Sequence, residues 1–401
     1  MRRLTMDTAQ EQARQHFLDG IGHFESGRLE PARACFEASL ALAPGRASVL
    51  ENLGVTLYRL NQWQAAAVAL QQAATTNPEH EAVWITLGLC HQALAQWPEA
   101  ADALARGLAL TAGRGDLWMI CGQCLDRAGR VEEALHAFDR ALAIDADLAE
   151  AWSERGSLLR DLGRLEEAVP CFEQAIARGA DPELNAYYLA AVRGASNPAA
   201  PPRQYVETLF DQYSADFQSH LVDQLQYRGH EWLLRPLLAT RKRYPTVLDL
   251  GCGTGLCGAL VAPFADAIDG VDLSAAMLAQ AQQLGVYRQL SHEDIEIFLT
   301  HTKIRADLVL AADVFIYVGA LEAVFSAVRR MLAPGGCFAF TVELAADADD
   351  FRLLPSLRYA HSEAYIRRLS TAHGFKVRDM QRAPLRQNQQ AALDALYVYL
   401  D

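Results

Sequence analysis

Positive charge is in short supply: 36 Lys and Arg stand against 49 Asp and Glu, a formal net charge of -13. Affinity for a polyanion comes largely from cations that neutralise phosphates, so nucleic acid is not expected as substrate or partner. No apolar run reaches the length of a membrane-spanning helix, and no membrane partner is expected. Met1–Gln10 carries Arg2 and Arg3 with no apolar stretch behind them, which argues against a secretory signal. The eight cysteines show no disulfide-framework spacing, so a cytoplasmic location is expected. No cluster of His, Cys and carboxylates has ligand spacing, and no metal is expected.

What the chain does contain is a repeat. At a period of about 34 residues small residues recur at Gly20, Gly54, Gly88, Gly122 and Gly156, and again at Ala32, Ala66, Ala100, Ala134 and Ala168. A large apolar column follows at Phe36, Leu70, Leu104, Phe138 and Phe172. Leu50, Trp84, Trp118 and Trp152 form a further apolar column, which the first unit replaces with His16. Two antiparallel helices approach closely only where side chains are small, and the larger columns then fill the space between neighbouring pairs. Gly27, Asn61, Gly129 and Gly163 mark turns inside most units.

These registers resemble the tetratricopeptide repeat (TPR) family. The expected layout is a tail over 1–12, then five repeats over 13–46, 47–80, 81–114, 115–148 and 149–182. A capping helix at Pro182–Arg193 completes a 13–194 domain, and a Pro-rich linker spans 195–203. The resemblance implies a superhelix with a groove lined by Phe17/Ile21, Glu51/Val55, Ile85/Leu89, Met119/Gln123 and Ser153/Ser157. The Lys/Asn set that clamps a C-terminal carboxylate in some members is absent. The groove would hold a protein or peptide, or pack on the second domain. Cys121-Gly-Gln-Cys124 falls inside a repeat's first helix and reads as core packing rather than redox chemistry.

From residue 204 the pattern changes. Strand-length apolar runs at Thr246–Leu250, Ala267–Val271, Ala306–Ala311, Gly336–Val342, Gly374–Met380 and Ala392–Leu400 alternate with helical segments, which predicts a doubly wound sheet. The first strand runs into Asp249-Leu-Gly-Cys-Gly-Thr-Gly255. Bare backbone at Gly251, Gly253 and Gly255 lets a ligand approach a helix N-terminus. Leu256 stands where a dinucleotide fingerprint needs its third glycine, and Asp249 would repel a pyrophosphate. A cationic cofactor with an amino-acid tail suits the acid better. Asp272, closing the second strand, can accept hydrogen bonds from both hydroxyls of a ribose.

The D-x-G-x-G-x-G loop resembles motif I of class I S-adenosylmethionine (SAM)-dependent methyltransferases, over residues 204–401. The fold expected is therefore α + α/β: an all-α TPR superhelix followed by a Rossmann-like, seven-stranded methyltransferase domain. The resemblance implies SAM as cofactor, with Asp249, Gly251, Cys252, Gly253, Gly255, Asp272, Leu273 and Met277 around it. It places Asp294 with Ile295 at the adenine, Glu293 being an alternative, and Ala311 at the methionine part, with Asp313 at the mouth. Leu209–Phe217 with His220, and Tyr359–Tyr365, look like segments of a bacterial repeat-fused subgroup; related small-molecule methyltransferases cover the cofactor with a tyrosine of a preceding helix, which makes Tyr213 a candidate lid, and Arg228 is a candidate for the cofactor carboxylate. Both also read as ordinary helix surface.

Methyl transfer from a sulfonium needs alignment above all, and a base only when the nucleophile must lose a proton. His361, Tyr317 and Glu343 are the candidates. The functional expectation is a SAM-dependent methyltransferase whose TPR domain binds a protein or peptide partner or substrate. A small-molecule methyltransferase with an array for oligomerisation or docking is the alternative, and a non-enzymatic scaffold a lesser one. Ala311-Ala-Asp-Val replaces the N-P-P-[YF] tetrapeptide of enzymes that methylate amide or adenine nitrogens.

Overall fold

The computed structural model describes residues 2–194, 197–213, 228–345, 350–388 and 391–401. The chain divides into two compact units, Met1–Ala180 and Asp181–Asp401.

The first unit is ten helices: α1 (Arg2–Glu25), α2 (Leu29–Leu42), α3 (Ala47–Arg59), α4 (Trp63–Thr76), α5 (Glu81–Ala93), α6 (Trp97–Leu110), α7 (Gly115–Arg127), α8 (Val131–Ile144), α9 (Ala149–Asp161) and α10 (Leu165–Ala177). They pair as α1/α2 through α9/α10, and the glycine column explains the pairing. A Cβ at Gly20 would lie 2.5 Å from the Phe36 ring, and one at Gly156 2.8 Å from Phe172. Each small residue thus seats the large side chain of its own repeat. The inner turns adopt a left-handed backbone at Gly27, Asn61, Ala95, Gly129 and Gly163, which adds Ala95 to the expected column. Cys121 and Cys124 are buried, and burial pushes their thiols up to about 12 and about 11, so they are packing residues. All ten predicted groove positions are half-buried.

The second unit opens with α11 (Pro182–Arg193), α12 (Arg203–Tyr213) and α13 (Gly229–Ala239). Then β1 (Tyr244–Leu250), α14 (Leu256–Val261), β2 (Ala265–Asp272), α15 (Ala275–Gln283), β3 (Gln289–His292), α16 (Ile295–His301) and β4 (Ala306–Ala311) alternate. They are followed by α17 (Glu322–Met331), β5 (Leu332–Leu344), β6 (Phe351–Leu353), β7 (Tyr359–His361), α18 (Glu363–Ala372), β8 (Val377–Asn388) and β9 (Ala391–Leu400). Helix α11, expected as the array's cap, belongs to this unit. Its Tyr187 hydroxyl donates to the Leu357 carbonyl at 2.9 Å and its ring packs on Tyr359. The described part of the expected linker is fastened here too. The Asn197 amide donates to the Phe351 carbonyl and accepts from the Leu353 N–H, pairing with β6 in both directions.

Seven strands lie in the order β3-β2-β1-β4-β5-β9-β8, with β9 antiparallel to both neighbours and β1–β5 parallel. The described residues add two short strands to the seven expected, β6 and β7, an antiparallel pair joined through β7 to the end of β5. Alternation along β4 sends Val309 and Ala311 into one core layer with Phe315, Phe325, Phe338 and Phe340, and Leu308 and Leu310 into the other with α13 and α14. Among the described residues no helix is long and apolar enough to cross a membrane.

Candidate active site

The strand order reverses between β1 and β4, and at the carboxyl ends of these strands a ligand crevice is expected. A cavity of about 400 Å³ opens there, lined by the glycine loop, the ends of β2 and β4, and α12. The loop has left-handed φ angles of 62°, 53° and 91° at Gly251, Gly253 and Gly255, which side chains rarely adopt. Gly251 is additionally crowded by Val314. A Cβ at Gly253 would meet no protein atom within 4 Å, so its bare backbone faces open space. Gly251, Cys252 and Gly253 line the cavity, whereas Gly255 serves the turn into α14.

Asp272 fixes the loop's position. One carboxylate oxygen accepts from the Gly253 N–H at 2.8 Å and the other from the Ser274 N–H at 2.9 Å. The carboxylate keeps acceptor capacity for a ligand. Burial raises its pKa, against the backbone hydrogen bonds that lower it. Asp249 is 1 % exposed and lines the same cavity. Burial pushes its carboxyl up to about 7, while a 2.7 Å hydrogen bond from the Tyr287 hydroxyl works in the opposite direction.

Leu273, Met277, Asp294 and Ile295 also line the cavity. Asp294 has a structural task as well: its Oδ1 accepts from the Glu296 and Ile297 N–H groups at the start of α16. Glu293, the alternative, pairs with His301 outside this cavity. The side chain of Ala311 is fully buried in the core, because strand alternation turns it away; Ala312 and Asp313 reach the wall instead. Arg228 is exposed at the N-terminus of α13 and does not line the cavity, but His230 two residues on does. Tyr213 ends α12; its side chain, and 214–227 with Phe217 and His220, lie outside what the structure describes.

The three base candidates part company. Tyr317 lines the cavity, its ring edge-on to Phe210 at 5.1 Å. Glu343 is buried on β5, away from the wall, with Arg358 as an electrostatic neighbour. His361 is 0 % exposed on β7, its Nε2 bonded to the Gly319 carbonyl at 2.9 Å and its ring stacked on Tyr365. Burial pushes its pKa down to about 4, and it does not reach the cavity. The Tyr359–Tyr365 segment is a packing node: the Tyr365 hydroxyl accepts from the Leu321 N–H and donates to Glu322.

One wall residue had no motif to announce it. Arg358, just before that segment, is hydrogen-bonded to Tyr317 and sits beside Asp313 and Glu343. Asp313 has a φ of 59°, held by its N–H donating to Thr341 Oγ1 at 2.8 Å. Such backbone costs energy and concentrates at functional sites.

The methyltransferase domain family matches residues 248–338, and tetratricopeptide repeat families match 18–82, 57–124 and 149–179. A malonyl-[acyl-carrier protein] O-methyltransferase of Geobacter sulfurreducens is 32% identical over 194 residues, 46% of this chain and 68% of that protein. The chain belongs to the methyltransferase family. The enzyme of the same name from Enterobacter lignolyticus is 33% identical over 162 residues, 40% of this methyltransferase-family chain. The match spans 60% of that relative's length. Among solved structures, the DhpI–SAH complex is 21% identical with a TM-score of 0.39, covering 50% of this chain and 96% of its own.

Proposed function

We propose that the second unit binds SAM in the cavity at the ends of β1, β2 and β4 and transfers its methyl group to an acceptor at the Tyr317–Arg358 side. The observation that carries this reading is Asp272, buried at the end of β2 and tied to Gly253 and Ser274, with oxygens directed at a bare glycine backbone. The residues present fit the group. Asp272 has acceptor capacity for a ribose diol, Asp249 is a carboxylate for an ammonium, and Leu273, Met277 and Ile295 offer apolar wall to a purine.

The bound sulfonium supplies an electrophilic methyl. The protein's part is to align and to exclude water, which α12 does with Val206, Leu209 and Phe210 along one wall. Tyr317 contacts the acceptor, and Arg358 with Asp313 sets the charge around it. Glu343 acts through Arg358. His361, walled off and neutral, takes no proton from the acceptor. The reading therefore favours acceptors that need no histidine base.

The TPR array binds a protein or peptide along the half-buried stripe from Phe17/Ile21 to Ser153/Ser157, as partner or as the methylated substrate. The chain's eight free cysteines suit a reducing compartment such as the cytoplasm. A thermal-shift comparison tests the cofactor class. S-adenosylhomocysteine (SAH) should raise the melting temperature of the whole protein by mass action, and NAD at equal concentration should not. A shift with NAD alone would reverse the assignment.

A further inference from the structure

Tyr287 stands in the segment between α15 and β3, outside every motif the sequence offers, and it does not line the cavity. Its ring occupies a slot formed where three glycines come together. A Cβ at Gly255 or Gly270 would lie 3.1 Å or 3.0 Å from a ring carbon, and one at Gly258 would collide with the phenol itself. These glycines belong to the loop, to α14 and to β2. A slot assembled from three elements fixes the hydroxyl, which donates to Asp249 Oδ2 at 2.7 Å. The phenol is held strongly protonated by burial and by Asp249, so its proton stays available to Asp249.

We propose that Tyr287 is a positioning residue for cofactor binding: it holds the Asp249 carboxylate, charged and aimed, at the place where the α-ammonium of the cofactor's amino-acid tail docks. The inference rests on the SAM reading above. A buried acid without a donor would be easily neutralised. Facing Asp249 are the Asp272 carboxylate of β2, which repels it, and the Gly258 N–H of α14, which supports it. The Cys252 and Cys257 thiols are pushed up by burial and by Asp249, and stay neutral. His230 of α13 lines the same cavity and is kept toward neutrality by burial. Tyr287 is thus the side-chain donor these groups leave to Asp249. With the acid's pKa at about 7, affinity for an ammonium-bearing ligand should weaken as pH falls through neutrality. Removing the phenol should move that loss to higher pH.

The test is calorimetry on the whole protein and on Tyr287→Phe with two probes, SAH and 5′-methylthioadenosine, which lacks the amino-acid tail, at pH 6, 7 and 8.5. The substitution should weaken SAH about tenfold at pH 7, weaken it less at pH 8.5, and leave methylthioadenosine within about twofold. SAH binding unchanged at pH 7 would overturn the inference. So would an equal, pH-independent loss of both probes, which would make the ring a packing piece. If the unmodified protein binds neither probe, the cofactor reading falls first and takes this inference with it.

Discussion

The Ser274 hydroxyl donates to Asp211 Oδ1 at 2.6 Å, joining α12 to the turn that carries Asp272. Ser274 is also the N-cap of α15, its Oγ accepting from Met277 N–H, and its own N–H donates to Asp272. One serine thus connects the helix over the cavity with the acid at its floor. Asp211→Ala should release α12, weakening SAH by about threefold to tenfold, since a side-chain hydrogen bond with a charged partner contributes about 1 kcal/mol or somewhat more. Calorimetry reads the change; equal affinity would mean that α12 is held elsewhere.

The boundary between the units predicts a contrast between truncations. A protein beginning at Asp181 retains α11, with Tyr187 against Tyr359 and the Leu357 carbonyl. It should keep cofactor binding. One beginning after Gly194 uncovers that cluster and should melt several degrees lower, as burial of a large aromatic side chain contributes about 2 kcal/mol. Equal melting of the two would deny α11 a place in this unit.

Within the array, Ala95 has a φ of 56° at the position where three other repeats have glycine. Ala95→Gly should stabilise by about 0.5–1 kcal/mol, because relief of left-handed strain exceeds the added chain entropy. Gly156→Leu should destabilise by about 1–3 kcal/mol through collision with Phe172. Urea denaturation measures both, and neither should alter SAH affinity.

His361 gives a pH dependence. Its pKa is about 4 in the fold against the ordinary 6.5, so the unfolded chain takes up the proton first. The stability of the neutral, buried ring is present above pH 6.5 and is lost as pH falls toward 4, by about 3 kcal/mol at most. His361→Gln keeps a donor for the Gly319 carbonyl and should remove that slope. The pH profile of methyl transfer should show no inflection from this residue. An inflection abolished by His361→Gln would return it to the chemistry.

Local backbone requirements were legible in the sequence. The glycines from Gly20 to Gly156 recur, and Gly251, Gly253 and Gly255 cluster, because small side chains or left-handed φ are required there, and the position of Asp272 at the end of β2 was legible from the apolar run before it. Residues whose placement depends on long-range pairing were not legible. His361 reads as a candidate base until β7 pairs with β5 and buries it. Ala311 falls at the right strand end but on the wrong face of the pleat. Pro182–Arg193 reads as a helix capping the array, because nothing local in it names the neighbour that covers it. Tyr287 had no local signal, because its slot exists only when Gly255, Gly258 and Gly270 are brought together.

The central claim is a functional SAM site built on Asp272, and isothermal titration of the whole protein with SAM and SAH, beside Asp272→Ala, tests it most directly. The account predicts micromolar binding that the substitution weakens at least tenfold, about 1.4 kcal/mol or more. Absence of binding to the intact protein, or equal affinity in the variant, would contradict it.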